Sequence, residues 1–216
     1  MMTDTTLRPA LQDGIARLGI TVPADAVERL LAYCALLQKW NRTYNLTAIR
    51  APEKMLTHHL LDSLAVLPFV EQAGVHTLAD IGSGAGLPGI VLAIARPALH
   101  VLSIDKVAKK ISFQQQAKAQ LGLDNLRVLA CRAEAAPADA RADAAISRAF
   151  ASLADFAAAA RALTAPGSAL FAMKGVYPAE EVAALPACVR LRASHPLTVP
   201  GLAAERTLLI LEDSHG

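Results

Sequence analysis

A chain of 216 residues that is 54% hydrophobic, with a formal net charge of +2, can bury a full core in one main domain, and its overall charge does not indicate nucleic-acid binding. It contains no long unbroken apolar run, no charged leader followed by an apolar stretch and no Cys-x-x-Cys pair. We therefore expect no membrane span, disulfide framework or structural metal, and a soluble cytoplasmic protein.

The first third of the chain is predicted to be helical. Residues 6–18 form an amphipathic pattern, and residues 23–40 place apolar side chains near helical spacing. A further helix is predicted to begin at Pro52, because proline suits a first helical turn. We expect residues 1–72 to be an N-terminal helical extension that packs on a core formed by residues 73–216.

Strand patterns alternate with helical ones from residue 77 onward. The seven predicted strands are residues 77–82, 100–105, 126–130, 142–147, 168–174, and two weaker ones near 189–199 and 206–211. Alternation at this spacing predicts parallel strands with right-handed crossovers, and the last two strands, which lack a long helix between them, should pair antiparallel. The predicted fold class is α/β, with a Rossmann-like sheet and ligands at the carboxyl ends of its strands.

A glycine-rich turn follows the first predicted strand. It begins with Asp80 and continues through Gly82, Gly84 and Gly86 in the pattern Asp-x-Gly-x-Gly-x-Gly. A strand that turns sharply into a helix leaves free backbone N–H groups facing the turn, and glycines let a ligand approach the backbone. The pattern resembles the first motif of the S-adenosylmethionine-dependent methyltransferases.

A dinucleotide site is a second interpretation of the same turn. Gly84, Gly86 and Gly89 satisfy the Gly-x-Gly-x-x-Gly fingerprint, but the fingerprint should open directly off the strand and here starts late. In the register that does open off the strand, the last position falls on Leu87, where Gly or Ala is expected. We therefore favour the methyltransferase interpretation.

Two further turns suit a nucleoside. Asp105 ends the second strand, where a carboxylate can accept hydrogen bonds from both ribose hydroxyls of either cofactor. An Asp after a strand is also a common helix N-cap. Ala133 and Glu134 follow the third strand, where adenine lies in the methyltransferase fold. Their position alone suggests that they contact adenine.

Two stretches suit an RNA substrate. Basic residues outnumber acidic ones six to two between Asp105 and Arg132, and residues 37–47 interleave aromatic, amide and basic side chains. The basic stretch is equally compatible with a solvated helix face. Trp40 and Tyr44 are spaced to pack helices against the sheet, which is the commoner role of such a pair.

The loops after strands four and five narrow the choice of acceptor. They lack the Asp/Asn-Pro-Pro-aromatic motif that is typical of exocyclic amine methylation, and the Cys nucleophile that carbon methylation of pyrimidines needs. Arg148, Phe150 and Lys174 remain. A cationic site without a general base suits an atom with a free lone pair, such as guanine N7, for which catalysis is positioning. Arg148 and Lys174 are also compatible with structural ion pairs.

Several motifs in order along the chain resemble the RsmG (GidB) family. They are Lys39-Trp40-Asn41, Tyr44-Asn45-Leu46-Thr47, His59-Leu60-Leu61-Asp62-Ser63, the turn from Asp80 to Gly89, Ser147-Arg148-Ala149-Phe150-Ala151-Ser152 and Lys174-Gly175. The family consists of bacterial methyltransferases that modify guanine N7 in the 16S ribosomal RNA of the small subunit. The resemblance implies S-adenosyl-L-methionine as cofactor and a seven-stranded methyltransferase sheet with an N-terminal helical extension.

The resemblance also implies roles for single residues. The glycines of the turn would hold the methionine moiety, Asp105 the ribose and the third turn the adenine. The full set expected at the cofactor is Asp80, Gly82, Gly84, Gly86, Leu87, Asp105, Ala133, Glu134 and Arg148. The set expected around the RNA acceptor is Asn45, Arg132, Arg148 and Lys174, and the catalytic residues expected within it are Arg148, Lys174 and Asn45.

Two other functions stay open from the sequence. An NAD-type oxidoreductase is weakened because no catalytic Tyr-Lys or Cys/His constellation is found. A non-catalytic RNA-binding factor with a vestigial cofactor site would associate with ribosomes without turnover.

His58 and His59 are adjacent and face different sides of a helix, so we expect a structural role and no metal. We expect a monomer.

Overall fold

The computed structural model describes residues 4–214, which form a seven-stranded sheet with helices on both faces. The strands are β1 (Thr77–Ile81), β2 (His100–Asp105), β3 (Leu126–Ala130), β4 (Ala142–Ser147), β5 (Thr164–Lys174), β6 (Val189–Pro196) and β7 (Thr207–Asp213). Their order is β3-β2-β1-β4-β5-β7-β6, and β7 runs antiparallel to the other six strands. The α/β fold class and the antiparallel final pair are confirmed.

The helices surround this sheet. They are α1 (Asp4–Arg17), α2 (Ala26–Tyr44), α3 (Pro52–Met55), α4 (Asp62–Leu64), α5 (Leu67–Gln72), α6 (Gly89–Ala95), α7 (Ala108–Leu121), α8 (Leu153–Ala160) and α9 (Ala179–Ala183). The helix predicted over residues 23–40 begins later, at Ala26, because Pro23 lies in the preceding turn and its carbonyl accepts a hydrogen bond from the Ala26 amide. The helix continues to Tyr44. Within residues 4–214, no helix is long and apolar enough to cross a membrane.

Two hydrophobic cores lie on opposite faces of the sheet. Successive side chains of a strand point to opposite faces, so Leu78 enters one core and Ala79 the other. Leu11 and Leu30 of the N-terminal helices join the first core, whereas Phe156 of α8 joins the second. The N-terminal helices therefore pack on the core, mainly through α6 and α7. The boundary proposed between residues 72 and 73 stays a prediction.

Strand β5 begins at Thr164, earlier than the predicted residue 168. Pro166 and Gly167 suggest a turn, and the positive φ of Gly167 (82°) is typical of one. The pairing nevertheless starts with Ala142 opposite Thr164 and resumes after a shift in register. The bulge places these two residues inside the strand without interrupting the sheet.

A π-helical turn, Leu56–Leu61, lies between α3 and α4. Such widened turns are rare and frequently occur at functional sites. His59 within the turn and Asp62 directly after it are both buried, with 4% and 2% of their surfaces exposed. The turn thus delivers two polar side chains to the interior beside the carboxyl edge of the sheet.

Asp80 holds the turn between β1 and α6. It is fully buried, and its Oδ2 accepts a hydrogen bond from the Gly89 amide at 2.8 Å. A Cβ at Gly89 would lie 2.7 Å from the same oxygen, so only glycine fits there. Burial raises the pKa of Asp80 to about 7, against the lowering effect of this hydrogen bond.

We predict that Asp80→Asn removes a pH dependence of stability. The carboxyl has an ordinary pKa of 3.8 and a folded pKa of about 7, so between these values the folded state binds more protons. The free energy of unfolding of the wild type should then fall as pH rises through this window, by up to about 1.4 kcal/mol per pH unit from this group.

Urea unfolding between pH 4 and pH 7 measures this contribution as the difference between wild type and variant. Asp124→Asn, in an exposed turn, is the matched control and should follow the wild type. Parallel curves for Asp80→Asn and wild type would show that folding does not raise the pKa of Asp80.

Candidate active site

The carboxyl ends of β1 to β4 open into a cleft of about 330 Å³, here called the strand-end cleft. Gly82 and Asp105 line it from the ends of β1 and β2. Ala133 and Glu134 line it from the turn after β3, and Phe150 from the loop after β4. Four of the residues predicted at the cofactor therefore meet in one place, as the topology of a parallel sheet requires.

The three glycines of the turn have different surroundings. Gly82, Gly84 and Gly86 all have positive φ (70°, 62° and 83°), a conformation that side chains disfavour. Gly82 lines the cleft, where an added Cβ would lie 3.8 Å from the Phe150 ring. At Gly86 the added Cβ would collide with the Ile90 side chain. Gly82 thus leaves the cleft open, whereas Gly86 allows α6 to pack.

Asp105 is 7% exposed and accepts backbone hydrogen bonds on both carboxylate oxygens. Oδ2 accepts from the Gly84 amide at 2.9 Å and Oδ1 from the Val107 amide at 2.8 Å, while Lys110 Nζ lies 3.6 Å away. The bond to Val107 closes a short turn before α7, whose N-cap is Val107, so the alternative interpretation of Asp105 as a helix N-cap is wrong. Each oxygen retains a lone pair, so the carboxylate can still accept hydroxyl donors from the cleft.

The strand-end cleft fits S-adenosylmethionine. Ile104 and Val107 offer apolar walls for a flat base, Asp105 offers acceptors for ribose hydroxyls, and Gly82 leaves space beside the backbone. Other residues predicted at the cofactor do not line the cleft: Asp80, Gly84, Gly86 and Leu87 form the turn behind it, and Arg148 lines a second cavity.

A second cavity of about 340 Å³, here called the basic cavity, lies next along the same edge of the sheet. Arg148 lines this cavity and the next residue, Ala149, lines the strand-end cleft, so the two share the loop after β4. Lys174 and Arg206 line it from the ends of β5 and the β6–β7 connection. Arg148 and Lys174, both predicted at the acceptor, are thus brought together.

Arg148 is held by the residues around the π-helical turn. Its Nη1 donates to the His58 carbonyl at 2.8 Å and to Asp62 Oδ2 at 3.2 Å. The guanidinium still lines the basic cavity, and 23% of its side chain is exposed. The structural ion pair and the exposed position in the cavity therefore occur together.

Arg206 was not identified from the sequence. It lies in the connection before β7, and its Nε donates to Asp62 Oδ1 at 2.8 Å. Asp62 belongs to the His-Leu-Leu-Asp-Ser motif, but no local pattern joins it to a residue so distant in the chain. A buried carboxylate such as Asp62 needs a cationic partner, but the sequence does not specify which Lys or Arg supplies it.

Lys174 is tied to α9 more firmly than to the cavity. Its Nζ donates to both carboxylate oxygens of Glu181, at 2.8 and 2.9 Å, and to the Phe150 carbonyl at 3.4 Å. Glu181 in turn accepts from the Leu153 amide at the start of α8. The charge of Lys174 is neutralised, and the ion pair fixes the loop that carries Phe150.

Asn45 lies outside both cavities. It ends α2 with a left-handed backbone (φ 48°), is exposed, and accepts a hydrogen bond from Arg50 Nη2. Its neighbour Asn41 is buried instead and binds the Thr47 amide and the Ile49 carbonyl. Asn41 belongs to a motif of the resemblance but was given no role, and it shapes the wall that Ile49 contributes to the basic cavity.

His59 is neutral. Burial lowers its pKa to about 4, and the charge of Arg148 acts in the same direction. Nδ1 is hydrogen-bonded to the His58 carbonyl at 3.0 Å, and Nε2 is hydrogen-bonded to Thr47 Oγ1 at 2.9 Å. This agrees with the structural role expected for it. Among residues 4–214, no cluster of three metal-ligating side chains is found.

The aromatic residues of the 37–47 stretch pack against other rings, whereas basic residues of the 105–132 stretch line the strand-end cleft. The Trp40 ring packs against the rings of Tyr44 and Phe113, with centroids 5.1 and 5.8 Å away, which favours the packing interpretation. Arg132 lines the strand-end cleft, whereas it was expected around the acceptor. Arg127 is paired with Asp139 and is not available.

Comparison with curated proteins identifies close relatives. "Ribosomal RNA small subunit methyltransferase G" of Azoarcus sp. (strain BH72) is 58% identical over 93% of this chain and 94% of its own length. The protein of the same name from Aromatoleum aromaticum is 56% identical over 94% and 97%.

Comparison with solved structures supports the fold. The O-methyltransferase TomG from Streptomyces achromogenes, solved in complex with SAM, has a TM-score of 0.59 at 15% identity, with 100% of each chain covered. A SAM-dependent methyltransferase from Aquifex aeolicus has a TM-score of 0.57 at 17% identity, covering 75% of this chain and 94% of its own. At these identities the likeness concerns the fold alone.

The family model described as rRNA small subunit methyltransferase G (GidB) matches residues 26–210. This range contains all seven strands except the end of β7, and both cavities. The match to a methyltransferase family also excludes the interpretation of the glycine-rich turn as a dinucleotide site. The chain belongs to the rRNA small subunit methyltransferase G (GidB) family.

Proposed function

We propose that the protein transfers a methyl group from S-adenosyl-L-methionine to N7 of a guanine in the 16S RNA of the small ribosomal subunit. Family membership supports the cofactor and the class of substrate. The observation that carries the proposal is the pair of neighbouring sites, a strand-end cleft that fits the cofactor and a basic cavity lined by Arg148, Lys174 and Arg206.

The strand-end cleft is the proposed cofactor site. Asp105 would accept from the ribose hydroxyls, the turn at Ala133 and Glu134 would contact adenine, and Gly82 would lie beside the methionine moiety. When bound, the cofactor supplies a methyl group on a positively charged sulfur. Asp80, Gly84, Gly86 and Leu87 act from behind the cleft: they hold the turn whose shape the cofactor requires.

The basic cavity is the proposed acceptor site. Guanine N7 carries a lone pair and no proton, so the residues need only hold the base in line with the methyl group. Asp62 is engaged by two guanidiniums, and both nitrogens of His59 are hydrogen-bonded. Neither is therefore placed to accept a proton, which suits an acceptor that has none to lose.

The remaining predicted contacts are assigned to the surrounding RNA. Arg132 at the strand-end cleft and Asn45 with Arg50 on the surface are proposed to bind nucleotides next to the target. A ribosomal substrate also supports a cytoplasmic location. We propose a monomer.

Methyl transfer to small ribosomal subunits that lack base modification tests the proposal. Labelled S-adenosylmethionine is the donor, and the product is identified by mass and by N7-specific strand cleavage. We expect a single 7-methylguanosine. Subunit binding without transfer would favour a non-catalytic RNA-binding factor, and a different methylated nucleoside would contradict the acceptor assignment.

Asp105→Ala should weaken cofactor binding. Loss of a carboxylate that accepts two ribose hydroxyls is expected to raise the Kd for S-adenosylmethionine about tenfold or more, measured by titration calorimetry. Asp124→Ala removes an exposed carboxylate at the opposite end of the sheet and should leave the Kd unchanged. An unchanged Kd for the Asp105 variant would exclude the ribose contact.

Arg148→Ala should reduce methyl transfer far more than cofactor affinity. We expect kcat/KM for the RNA to fall about 100-fold, the size typical for loss of a charged contact, with the Kd for S-adenosylmethionine changed less than about threefold. Arg190→Ala, an exposed arginine paired with Glu212, is the control. Equal losses in both quantities would place Arg148 at the cofactor.

A further inference from the structure

One buried carboxylate joins two arginines in the basic cavity. Asp62, 2% exposed, accepts from Arg148 Nη1 on Oδ2 and from Arg206 Nε on Oδ1. The two arginines come from different parts of the chain, the loop after β4 and the connection before β7. Asp62 is therefore the contact that brings both guanidiniums to one wall of the cavity.

The two guanidiniums keep donors that the protein does not use. Arg148 donates from Nη1 to Asp62 and the His58 carbonyl. Arg206 donates from Nε to Asp62 and from Nη1 to the Glu205 carbonyl. Within the described part of the chain, Nη2 of each arginine has no acceptor. Both side chains line the basic cavity, and about a fifth of each is exposed (23% and 22%).

The charge of this group is not balanced within the cavity. Two guanidiniums and one carboxylate leave a net positive charge, Lys174 is neutralised by Glu181, and His59 is uncharged. Planar guanidiniums with adjacent free N–H groups are well suited to phosphate. A contact from these groups to guanine N7 would occupy the lone pair that must be methylated, so the phosphate is the better partner.

We propose that Asp62, Arg148 and Arg206 form a phosphate clamp that binds the backbone of the target nucleotide in the RNA. Arg148 and Arg206 contact the phosphate, and Asp62 is a positioning residue that orients both guanidiniums. The proposal rests on the proposed function, since it identifies how the acceptor site holds its RNA. It adds Arg206 and Asp62 to the residues that recognise the substrate.

Arg206→Gln tests the clamp through the salt dependence of RNA binding. The probe is the unmodified small ribosomal subunit, and binding is measured without turnover between 50 and 200 mM salt. Loss of one phosphate contact should weaken binding about tenfold and reduce the slope of log K against log salt by about 0.7 to 0.9. Arg206→Lys should restore part of both. Arg190→Gln, exposed and also paired with a carboxylate, should match the wild type.

Asp62→Asn separates positioning from charge. The substitution adds one net positive charge to the cavity, so a residue that acts only through its charge would make RNA binding tighter and more salt-dependent. A positioning residue gives the opposite result, and we expect weaker binding with a higher KM and an unchanged Kd for S-adenosylmethionine. Thermal unfolding checks that the variant is folded, and if it is not, the two Arg206 variants decide.

The clamp and the proposed function can fail separately. A wild-type salt slope for Arg206→Gln, or tighter binding by Asp62→Asn, would overturn the clamp while wild-type methyl transfer still supports the function. If the wild type produces no 7-methylguanosine but the variants change the salt slope as expected, the clamp stands and the proposed reaction fails.

Discussion

The hydrogen bond from the Gly89 amide to the buried carboxyl of Asp80 fixes the geometry on which the strand-end cleft depends. It joins the end of β1 to the start of α6 and so determines the path of the glycine-rich turn. The turn is then tied to its neighbour in the sheet. Gln114 of α7 donates to Ser83 Oγ and to the Gly84 carbonyl, at 2.8 Å each, and the Gly84 amide reaches Asp105. The backbone of the strand-end cleft is thus held before any ligand binds, which lowers the cost of ordering it on binding.

The acceptor side is organised by ion pairs instead of backbone hydrogen bonds. Asp62 fixes two guanidiniums and Glu181 fixes Lys174, and each carboxylate belongs to a helical segment outside the sheet. Removing one cation from such a group leaves a poorly solvated charge, so these residues are coupled and their substitutions should not be additive. The loop after β4 connects the two systems, because Arg148 faces the basic cavity while Ala149 and Phe150 face the cleft.

The sequence predicted the features that depend on local patterns. Strand positions, the antiparallel final pair and the meeting of Gly82 with Asp105 follow from hydrophobic runs, glycine spacing and the topology of parallel sheets. It did not identify Arg206, whose partner Asp62 lies 144 residues away, since ion pairs leave no periodic signal. Asn45 was expected at the acceptor, but the left-handed end of α2 places it on the surface. The start of β5 was placed too late because Pro166 and Gly167 suggest a turn, whereas a bulge accommodates them.

The charge of the basic cavity bears on substrate choice. A methyl donor with a positive sulfur and a cavity with surplus positive charge would repel each other unless an anion lies between or beside them. An RNA backbone supplies that anion, whereas a neutral or cationic small molecule does not. Asp62 sets the balance, because it cancels one of two guanidinium charges and leaves enough to attract phosphate without an unpaired buried cation. Asp62, Arg148 and Arg206 can therefore both orient the acceptor and select a polyanionic one, without further residues dedicated to specificity.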